Sequence, residues 1–152
     1  MNKVEFHLND YVMTPDKECG RIYGALQVWD SEKESMVNRY HVKIAESVLK
    51  TRRRRYVGTE LKGIPINQRV LLAIGFKRVN EDMFRYEDMK SRKYIVIDYT
   101  DCSVTAFKCG RHIMVDFVYV DFIHDIQHLF EHLQIPFPSL LLYLSGLRKS
   151  KP

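Results

Sequence analysis

The sequence predicts an α+β protein in which a small N-terminal β-barrel-like unit is followed by a helix, an antiparallel β meander and a C-terminal helix. Three observations predict this class. Short runs rich in β-branched and aromatic residues alternate with charged turns over most of the chain. Apolar residues three and four apart occur in residues 68–74 and again in 122–133. With 152 residues, 45% of them hydrophobic, the chain can bury a core without a disulfide or a metal ion.

The first third of the chain is predicted to be β-structure. Arg21–Trp29 is rich in apolar and aromatic residues, and the C-terminal half of Val37–Ile44 alternates apolar and polar side chains, as a half-buried strand does. The charged segment Asp30–Ser35 separates the two runs and predicts a turn. Short strands joined by charged turns favour a strongly bent sheet or an SH3-like barrel, assigned to residues 1–58.

Residues 59–135 are predicted to form a helix–meander–helix unit. Its first helix covers Gln68–Ile74, because Asn67 is a good N-cap and Gly75 stands where a left-handed C-cap residue belongs. The helix is short, so tertiary packing must hold it in place.

Five strands of the meander are predicted from apolar runs separated by polar turns. The turns fall at Asn80–Asp82 and Lys108–Arg111. The predicted strands are Phe76–Val79, Met83–Glu87, Tyr94–Tyr99, Ser103–Phe107 and Ile113–Val118.

The clearest helix is predicted over Asp121–Leu133, where apolar residues form one broad stripe. Asp121 is the expected N-cap, and Pro136 and Pro138 end the helix. The remaining tail, residues 136–152, is first apolar and then basic.

The charge is concentrated in one place. Lys and Arg number 24 against 19 Asp and Glu, and four of those cations are consecutive. Arginine pairs bidentately with phosphate, and a neighbouring aromatic ring can stack on a base. The predicted ligand-binding residues are therefore Arg52, Arg53, Arg54, Arg55 and Tyr56. On a strand the run would send two arginines to each face, whereas in a loop all four could reach one ligand. The alternatives are a solvated basic loop, or arginines that close an oligomer interface on acidic partners.

Two segments, Gly63–Phe76 and Phe122–Leu133, together resemble a family of small uncharacterised proteins carried by phages and mobile elements of gut bacteria. The first segment contains the pattern L-L-x-x-G-F and the second contains I-H-x-I-Q-x-L. The resemblance covers most of residues 8–133 in the order of elements. It implies the fold described above and lends no established activity. It adds, as one option, a phage-type protein that sequesters a host nucleotide signal, in the cytoplasm of the host cell if it is phage-encoded.

Neither metal binding nor catalysis is expected. His124, His128 and His132 step by four residues along one helix, but the H-E-x-x-H pattern is missing and a buried structural role for His124 is favoured. The thiol and imidazole in Cys109–His112 fall at an exposed hairpin tip. Asp98 is framed by neither a D-x-D nor an E-x-K pattern.

Other scattered acids share this lack of a pattern, and the cysteines are expected to be reduced. The acids are Asp101, Asp116 and Asp121, and the cysteines are Cys19, Cys102 and Cys109. We therefore expect no catalytic residue, no metal and no cofactor.

The function predicted from these patterns is non-enzymatic binding of an anionic, nucleotide-bearing ligand. Tyr23, Trp29 and Tyr56 are expected to add a stacking platform near the arginines. The alternatives are an RNA- or DNA-binding module, a small metal-dependent nuclease or phosphodiesterase, and a protein–protein inhibitor.

The leucine-rich tail, Leu140–Leu147, must be buried somewhere, because so apolar a segment is costly to leave in water. It either folds back on the core of its own chain or packs against a second copy, and a homodimer is slightly favoured because a self-complementary apolar patch readily forms a two-fold dimer. The longest apolar stretch, Ser139–Leu147, is about half the length that a bilayer crossing needs. The first ten residues carry no apolar signal region. We therefore expect a cytoplasmic protein with no membrane partner.

Overall fold

The α+β class is confirmed by two five-stranded antiparallel sheets and two α-helices. The computed structural model describes residues 6–45, 51–113, 119–140 and 143–144. Contacts divide the chain into two compact units, one of residues 1–64 with 141–152 and the other of residues 65–140.

The first unit is built on one antiparallel sheet. Its strands are β1 (Tyr11–Met13), β2 (Cys19–Asp30), β3 (Ser35–Ala45), β4 (Thr51–Val57) and β5 (Lys62–Gly63). The predicted strands β2 and β3 are confirmed and are slightly longer than expected. The strand order is β4-β3-β2-β1-β5, so β4 and β5 lie at opposite edges and the described strands do not close into a barrel. Because β5 pairs with β1, the unit extends to residue 64.

One face of this sheet carries the core of the first unit. Side chains alternate over residues 20–22 of β2 and 40–44 of β3, where every second residue is buried and those between are more exposed. Tyr40 and Phe6 meet edge to face, with ring centroids 5.8 Å apart. The buried cluster consists of Phe6, Val12, Ile22, Tyr40, Val42, Ile44 and Leu61. The opposite face, here called the outer face, carries mainly polar and basic side chains on β3 and β4, together with Tyr23 and Leu26 of β2 and the buried Tyr11 of β1.

A β-bulge interrupts β2 between Ile22 and Gly24. Ile22 lies opposite Val42 and Gly24 opposite His41, so Tyr23 is the extra residue in β2. A bulge bends its strand and changes which face the following side chains occupy. Here it presents the ring of Tyr23 on the outer face.

Beyond the sheet, β2 and β3 continue as a two-stranded arm, residues 27–30 paired with 35–38. β1 pairs only with residues 19–21 of β2, and β4 pairs with β3 from residue 39 onwards. Trp29 and Met36 lie directly opposite each other in the arm and are 63% and 50% exposed. Trp29 is therefore a surface residue at the far end of the longest hairpin.

The second unit combines a five-stranded meander with two helices. Its elements are α1 (Gln68–Ile74), β6 (Lys77–Arg78), β7 (Met83–Asp88), β8 (Lys93–Asp98), β9 (Ser103–Lys108), β10 (Arg111–Ile113) and α2 (Ile123–His132). The strand order β10-β9-β8-β7-β6 confirms the predicted meander. The predicted first strand, Phe76–Val79, is shorter than expected. The last strand, β10, begins at Arg111, two residues before the predicted start at Ile113, and residues 114–118 of the predicted strand lie outside the described residues.

Helix α1 has the limits and both caps predicted from the sequence. The Oδ1 atom of Asn67 accepts a hydrogen bond of 2.8 Å from the backbone N–H of Val70. At the other end Gly75 has φ 121°, a region that L side chains rarely adopt, and its N–H donates to the carbonyls of Leu71 and Leu72.

The N-cap predicted for α2 is wrong. The helix begins at Ile123 rather than at Asp121, and Phe122 occupies the N-cap position. The capping group is instead the carboxylate of Asp125 in the first turn. It accepts hydrogen bonds from the backbone N–H groups of Asp121 at 3.0 Å and Phe122 at 2.9 Å. A carboxylate in the first turn can reach back to donors that the helix leaves unpaired.

Three aromatic rings join the helices to the meander. Tyr86 of β7 lies 4.8 Å from Phe130 of α2 and 5.5 Å from Phe76, which follows α1 (centroid distances). Phe76 and Phe130 lie 6.2 Å apart. The face of the meander that carries Tyr86 is therefore the face on which α2 packs.

Both predicted hairpin turns are confirmed. The Oδ1 atom of Asn80 accepts from the N–H groups of Asp82 and Met83, both at 3.0 Å. Cys109 and Gly110 have φ 51° and 81°, the pair of positive values that a type I′ turn requires.

Among the residues that the structure describes, no helix is long and apolar enough to cross a membrane.

Replacing Gly20 by alanine should destabilise the first unit. A Cβ atom at this position would lie 2.6 Å from both the carbonyl oxygen of Lys43 and the Cγ1 atom of Val42, so the packed backbone would have to move. We expect a loss of about 1–3 kcal/mol in the free energy of unfolding, measured by urea titration. Gly24→Ala in the same strand is the control, because its Cβ would approach His41 no closer than 3.6 Å. Equal stabilities for the two variants would contradict the close approach at Gly20.

Alkaline pH should weaken the second unit through Tyr86. Burial, and after it the carboxylate of Asp88, raise the pKa of the Tyr86 hydroxyl above its usual value. The folded chain then holds this proton at pH values where the unfolded chain has lost it. Stability is therefore complete below pH about 10 and falls as the pH rises through and above that value.

The measurement compares the wild type with Tyr86→Phe, which keeps the ring and removes the ionisable group. The difference between their unfolding free energies should be constant up to pH about 10 and change above it. Parallel curves across the alkaline range would contradict the raised pKa.

Candidate functional site

The arginine run forms most of β4, the edge strand of the first sheet. Its pairing with β3 sets which way each side chain points, since directly opposite residues share a face. The pairs are Arg52 with Ile44, Arg53 with Lys43, Arg54 with Val42, Arg55 with His41 and Tyr56 with Tyr40. Arg53 and Arg55 therefore lie on the outer face, whereas Arg52, Arg54 and Tyr56 lie on the side that carries the core.

The three residues on the core side have separate surroundings. Arg52 forms an ion pair with Glu18, whose side chain is 17% exposed, so this arginine has a structural partner. Arg54 is exposed, and Tyr56 is half-buried against the hydrophobic cluster. The structure thus does not bring the five residues predicted as a ligand site onto one surface.

The outer face gathers cations that are far apart in the sequence. Arg21 of β2 lies opposite Lys43 of β3, and Lys43 lies opposite Arg53 of β4. Neighbouring strands are about 4.8 Å apart, so these three side chains form a row across the sheet. Arg55 and Arg39 continue the same face along β4 and β3. We call Arg21, Arg39, Lys43, Arg53 and Arg55 the basic face.

In the described strands, no acidic side chain lies between the cations of the basic face to neutralise their charge. Every strand residue between its members is described, and none that points to this face is Asp or Glu. In the described part of the chain, none of the five cations forms an ion pair. Five positive charges without acidic neighbours repel one another and raise the local concentration of anions.

An aromatic ring lies among these cations. The Nζ atom of Lys43 lies 5.2 Å from the ring centroid of Tyr23, and the Cζ atom of Arg53 lies 5.6 Å from it. Both distances are within the range of cation–π attraction. His41 meets the same ring edge to face at 5.7 Å. The half-buried Tyr23 is thus held beside the groups that would contact a phosphate.

His41 adds a polar group to the basic face. It lies directly opposite Arg55, and its Nε2 atom is shielded from solvent with no hydrogen-bond partner among the described residues. An imidazole nitrogen can donate or accept a hydrogen bond according to its tautomer. Because this nitrogen is shielded, an anion held by the neighbouring cations could reach it only if the side chain moved.

The structure divides the predicted stacking platform. Tyr23 lies beside Arg53, as the sequence suggested, but Tyr56 is on the opposite side of the sheet. Trp29 lies in the arm, on the part of β2 that pairs only with β3. Tyr23 is the one predicted aromatic that the fold places with the cations.

Several members of the basic face were not predicted as ligand-binding residues from the sequence. The alternation of Val37–Ile44 already put His41 and Lys43 on one face. The sequence around Arg21 did not indicate that it shares this face, because its position opposite Lys43 depends on the register of β2 against β3. A register that depends on pairing between distant strands cannot be predicted from one run of residues alone.

The acids considered for catalysis have local structural partners. The Oδ1 atom of Asp98 accepts hydrogen bonds from the backbone N–H of Thr100 at 3.0 Å and from its hydroxyl at 2.6 Å, which fixes the turn after β8. Among the described residues, no group of three or more His, Cys, Asp or Glu side chains is placed to hold a metal ion. Asp116 lies outside the described residues.

His124 is buried, as expected, with 4% exposure. Its ring stacks on Phe122 at 5.4 Å with an interplanar angle of 6°, and the ring of His128 lies 5.7 Å away. The Nε2 atom of His124 is 3.7 Å from a carboxylate oxygen of Asp125. These contacts join the histidine to the start of α2.

The cysteines differ in their surroundings. Cys109 is exposed at the tip of the last hairpin. Cys102 is half-buried, and burial, followed by the carboxylates of Asp121 and Asp101, raises the pKa of its thiol. A thiol with a raised pKa is a poor nucleophile at neutral pH.

Two leucines of the predicted dimer tail, Leu140 and Leu144, are already buried within the single chain. Leu141, Leu142 and the basic end of the tail lie outside the described residues. The homodimer stays a prediction, with less apolar surface available to it than the sequence suggested.

No protein-family model, curated protein or solved structure significantly matches this chain. The resemblance to a phage-borne family therefore stays a prediction, and the functional argument depends on the geometry of the basic face.

Replacing Arg52 should affect stability more than replacing Arg54, although each change removes one charge from the same strand. Arg52→Gln removes a half-buried ion pair, and we expect a loss of about 1 kcal/mol in the free energy of unfolding. Arg54→Gln should stay within about 0.5 kcal/mol, because that side chain is exposed. Thermal or urea unfolding of the two variants measures the difference. The reverse order would contradict the structural role of Arg52.

Proposed function

We propose that the basic face binds an anionic, nucleotide-bearing ligand, and that the protein acts by binding it rather than by changing it. One observation carries the proposal. A row of three cations, Arg21, Lys43 and Arg53, crosses three strands beside the ring of Tyr23, with no acid between them on that face.

The chemistry of this face suits a phosphate joined to a base. The planar fork of an arginine pairs with two phosphate oxygens at once, and a lysine adds a compact positive charge. An aromatic ring beside such cations offers a surface on which a base can stack. Tyr23 lies within 6 Å of both Lys43 and Arg53, so one ligand could use both kinds of contact.

Two finer expectations belong to the same proposal. The family resemblance supports a phage-type protein that sequesters a nucleotide signal of its host. The bulge at Tyr23 supports SH3-like curvature of the first sheet, because bulges bend strands and strengthen their twist.

Replacing single arginines of β4 tests the proposal. Arg53→Gln should weaken binding about tenfold or more, because it removes a charge-assisted contact on the basic face. Arg54→Gln is the matched control. It is the next residue on the same strand and removes the same charge, but it lies on the other face of the sheet.

Fluorescence anisotropy with two labelled probes, a guanosine triphosphate and an oligothymidylate, measures the effect. Neither variant removes an ion pair of the described residues, so their melting temperatures should match that of the wild type. Equal losses in both variants would indicate only general charge attraction. No loss in Arg53→Gln with either probe would rule out the basic face as the site.

A further inference from the structure

We infer that the ligand of the basic face is a single-stranded nucleic acid rather than a free nucleotide. This inference rests on the proposed function and names the class of its ligand. It follows from the length of the basic face, from the apolar residues around Arg39 and from the position of Tyr23.

The basic face is too long for one phosphate. Arg21, Lys43 and Arg53 span three strands, a distance of about 10 Å between backbones. Along β3, Arg39 is four residues from Lys43, a distance of about 13 Å. A single phosphate contacts only donors within hydrogen-bond reach of its own oxygens. A ligand that uses the whole face must therefore carry several phosphates along its length.

Arg55 fills the space between the two ends. It lies on β4 two residues from Arg53 and opposite His41, between the row of Lys43 and the row of Arg39. On this face the cations are two residues apart on β4, at Arg53 and Arg55, and four residues apart on β3, at Arg39 and Lys43. A series of cations along neighbouring strands matches the repeating phosphates of an extended strand.

The far end of the basic face is partly apolar. Arg39 lies between Leu26 of β2 and Val57 of β4, each directly opposite it. Leu26 is exposed and Val57 half-buried. Apolar side chains next to a cation offer contact to sugars and bases while the cation holds the phosphate. A free nucleotide bound near Tyr23 would leave this end unused.

Tyr23 favours a single strand over a duplex. Its ring lies among cations on the sheet surface, where it can meet a base only if that base is unstacked. The bases of a duplex are paired and stacked inside, whereas those of a single strand can turn outward onto an aromatic side chain. Cations beside a half-buried aromatic ring therefore suit a flexible, unpaired strand.

The first experiment compares ligands on the wild-type protein. Labelled oligothymidylates of about 4 to about 16 nucleotides, a labelled mononucleotide and a duplex are titrated at several salt concentrations. We expect affinity to rise with oligomer length to a plateau and to be higher for the single strand than for the duplex. With about three to five phosphates contacted, log affinity should fall with log salt at a slope of about −2 to −3.5.

The second experiment assigns contacts with variants of the full chain. Arg55→Gln and Arg39→Gln should each reduce the steepness of the salt dependence by about 0.7, because each removes one phosphate contact. Arg54→Gln, on the other face, should leave the slope unchanged. Tyr23→Leu should lower the affinity about 5- to 150-fold with the slope unchanged, because stacking involves no counterion release. Melting temperatures confirm that each variant is folded.

Three results would overturn the inference while leaving the proposed function intact. They are equal affinity for the mononucleotide and the longest oligomer, preference for the duplex, and loss of affinity in Arg53→Gln without any change in Arg55→Gln or Arg39→Gln. Binding of poly-glutamate as tight as that of the oligomer would instead point to an acidic polypeptide and overturn both. No effect of Arg53→Gln on any probe would refute the proposed function itself.

Discussion

The pairing of β4 with β3 decides what the arginine run does. Because the run is a strand at the sheet edge, its side chains alternate between two environments. Arg52 forms an ion pair with Glu18 on the core side, while Arg53 lies beside Lys43 and Tyr23 on the outer face. Four identical residues in sequence thus have different roles, and the basic face comes from three strands rather than from one motif.

In both sheets, the alternation of side chains along each strand assigns every residue to one of two faces. In the first unit the core side is filled by an aliphatic and aromatic cluster, which leaves the outer face free for charge. Close packing near Gly20, where a Cβ would meet Lys43 and Val42 at 2.6 Å, holds β2 and β3 in this register. In the second unit, Tyr86 and Phe130 pack one face of the meander against α2. Each face is assigned by alternation, and a slip of one residue would exchange core and surface.

The acidic residues of the described chain are used mainly in local structure. Asp98 fixes a turn, Asp125 caps a helix and Glu18 pairs with Arg52. Among the described residues, the cations of the basic face form no ion pair. The two groups therefore differ: these acids stabilise local structure, whereas the cations of the basic face have no acidic partner in the described part of the chain.

The sequence by itself determined the local features of this protein. The limits and caps of α1, both hairpin turns and the strands of the meander follow from residue types that act over a few positions. The α+β class follows from the two apolar periodicities. The N-cap of α2 was misplaced because Phe122, whose side chain cannot cap, occupies that position, and the carboxylate of Asp125 reaches back from the first turn to the backbone N–H groups of Asp121 and Phe122.

Tertiary structure alone decided the composition of the basic face. Arg21, Lys43 and Arg53 are separated by at least ten residues each, and they meet because of the β2–β3–β4 register. That register depends on the bulge at Tyr23 and on the buried side of the sheet, neither of which is encoded in a short pattern. The sequence could show that a basic run exists; long-range strand pairing selected which of its residues share a surface and which distant cations join them.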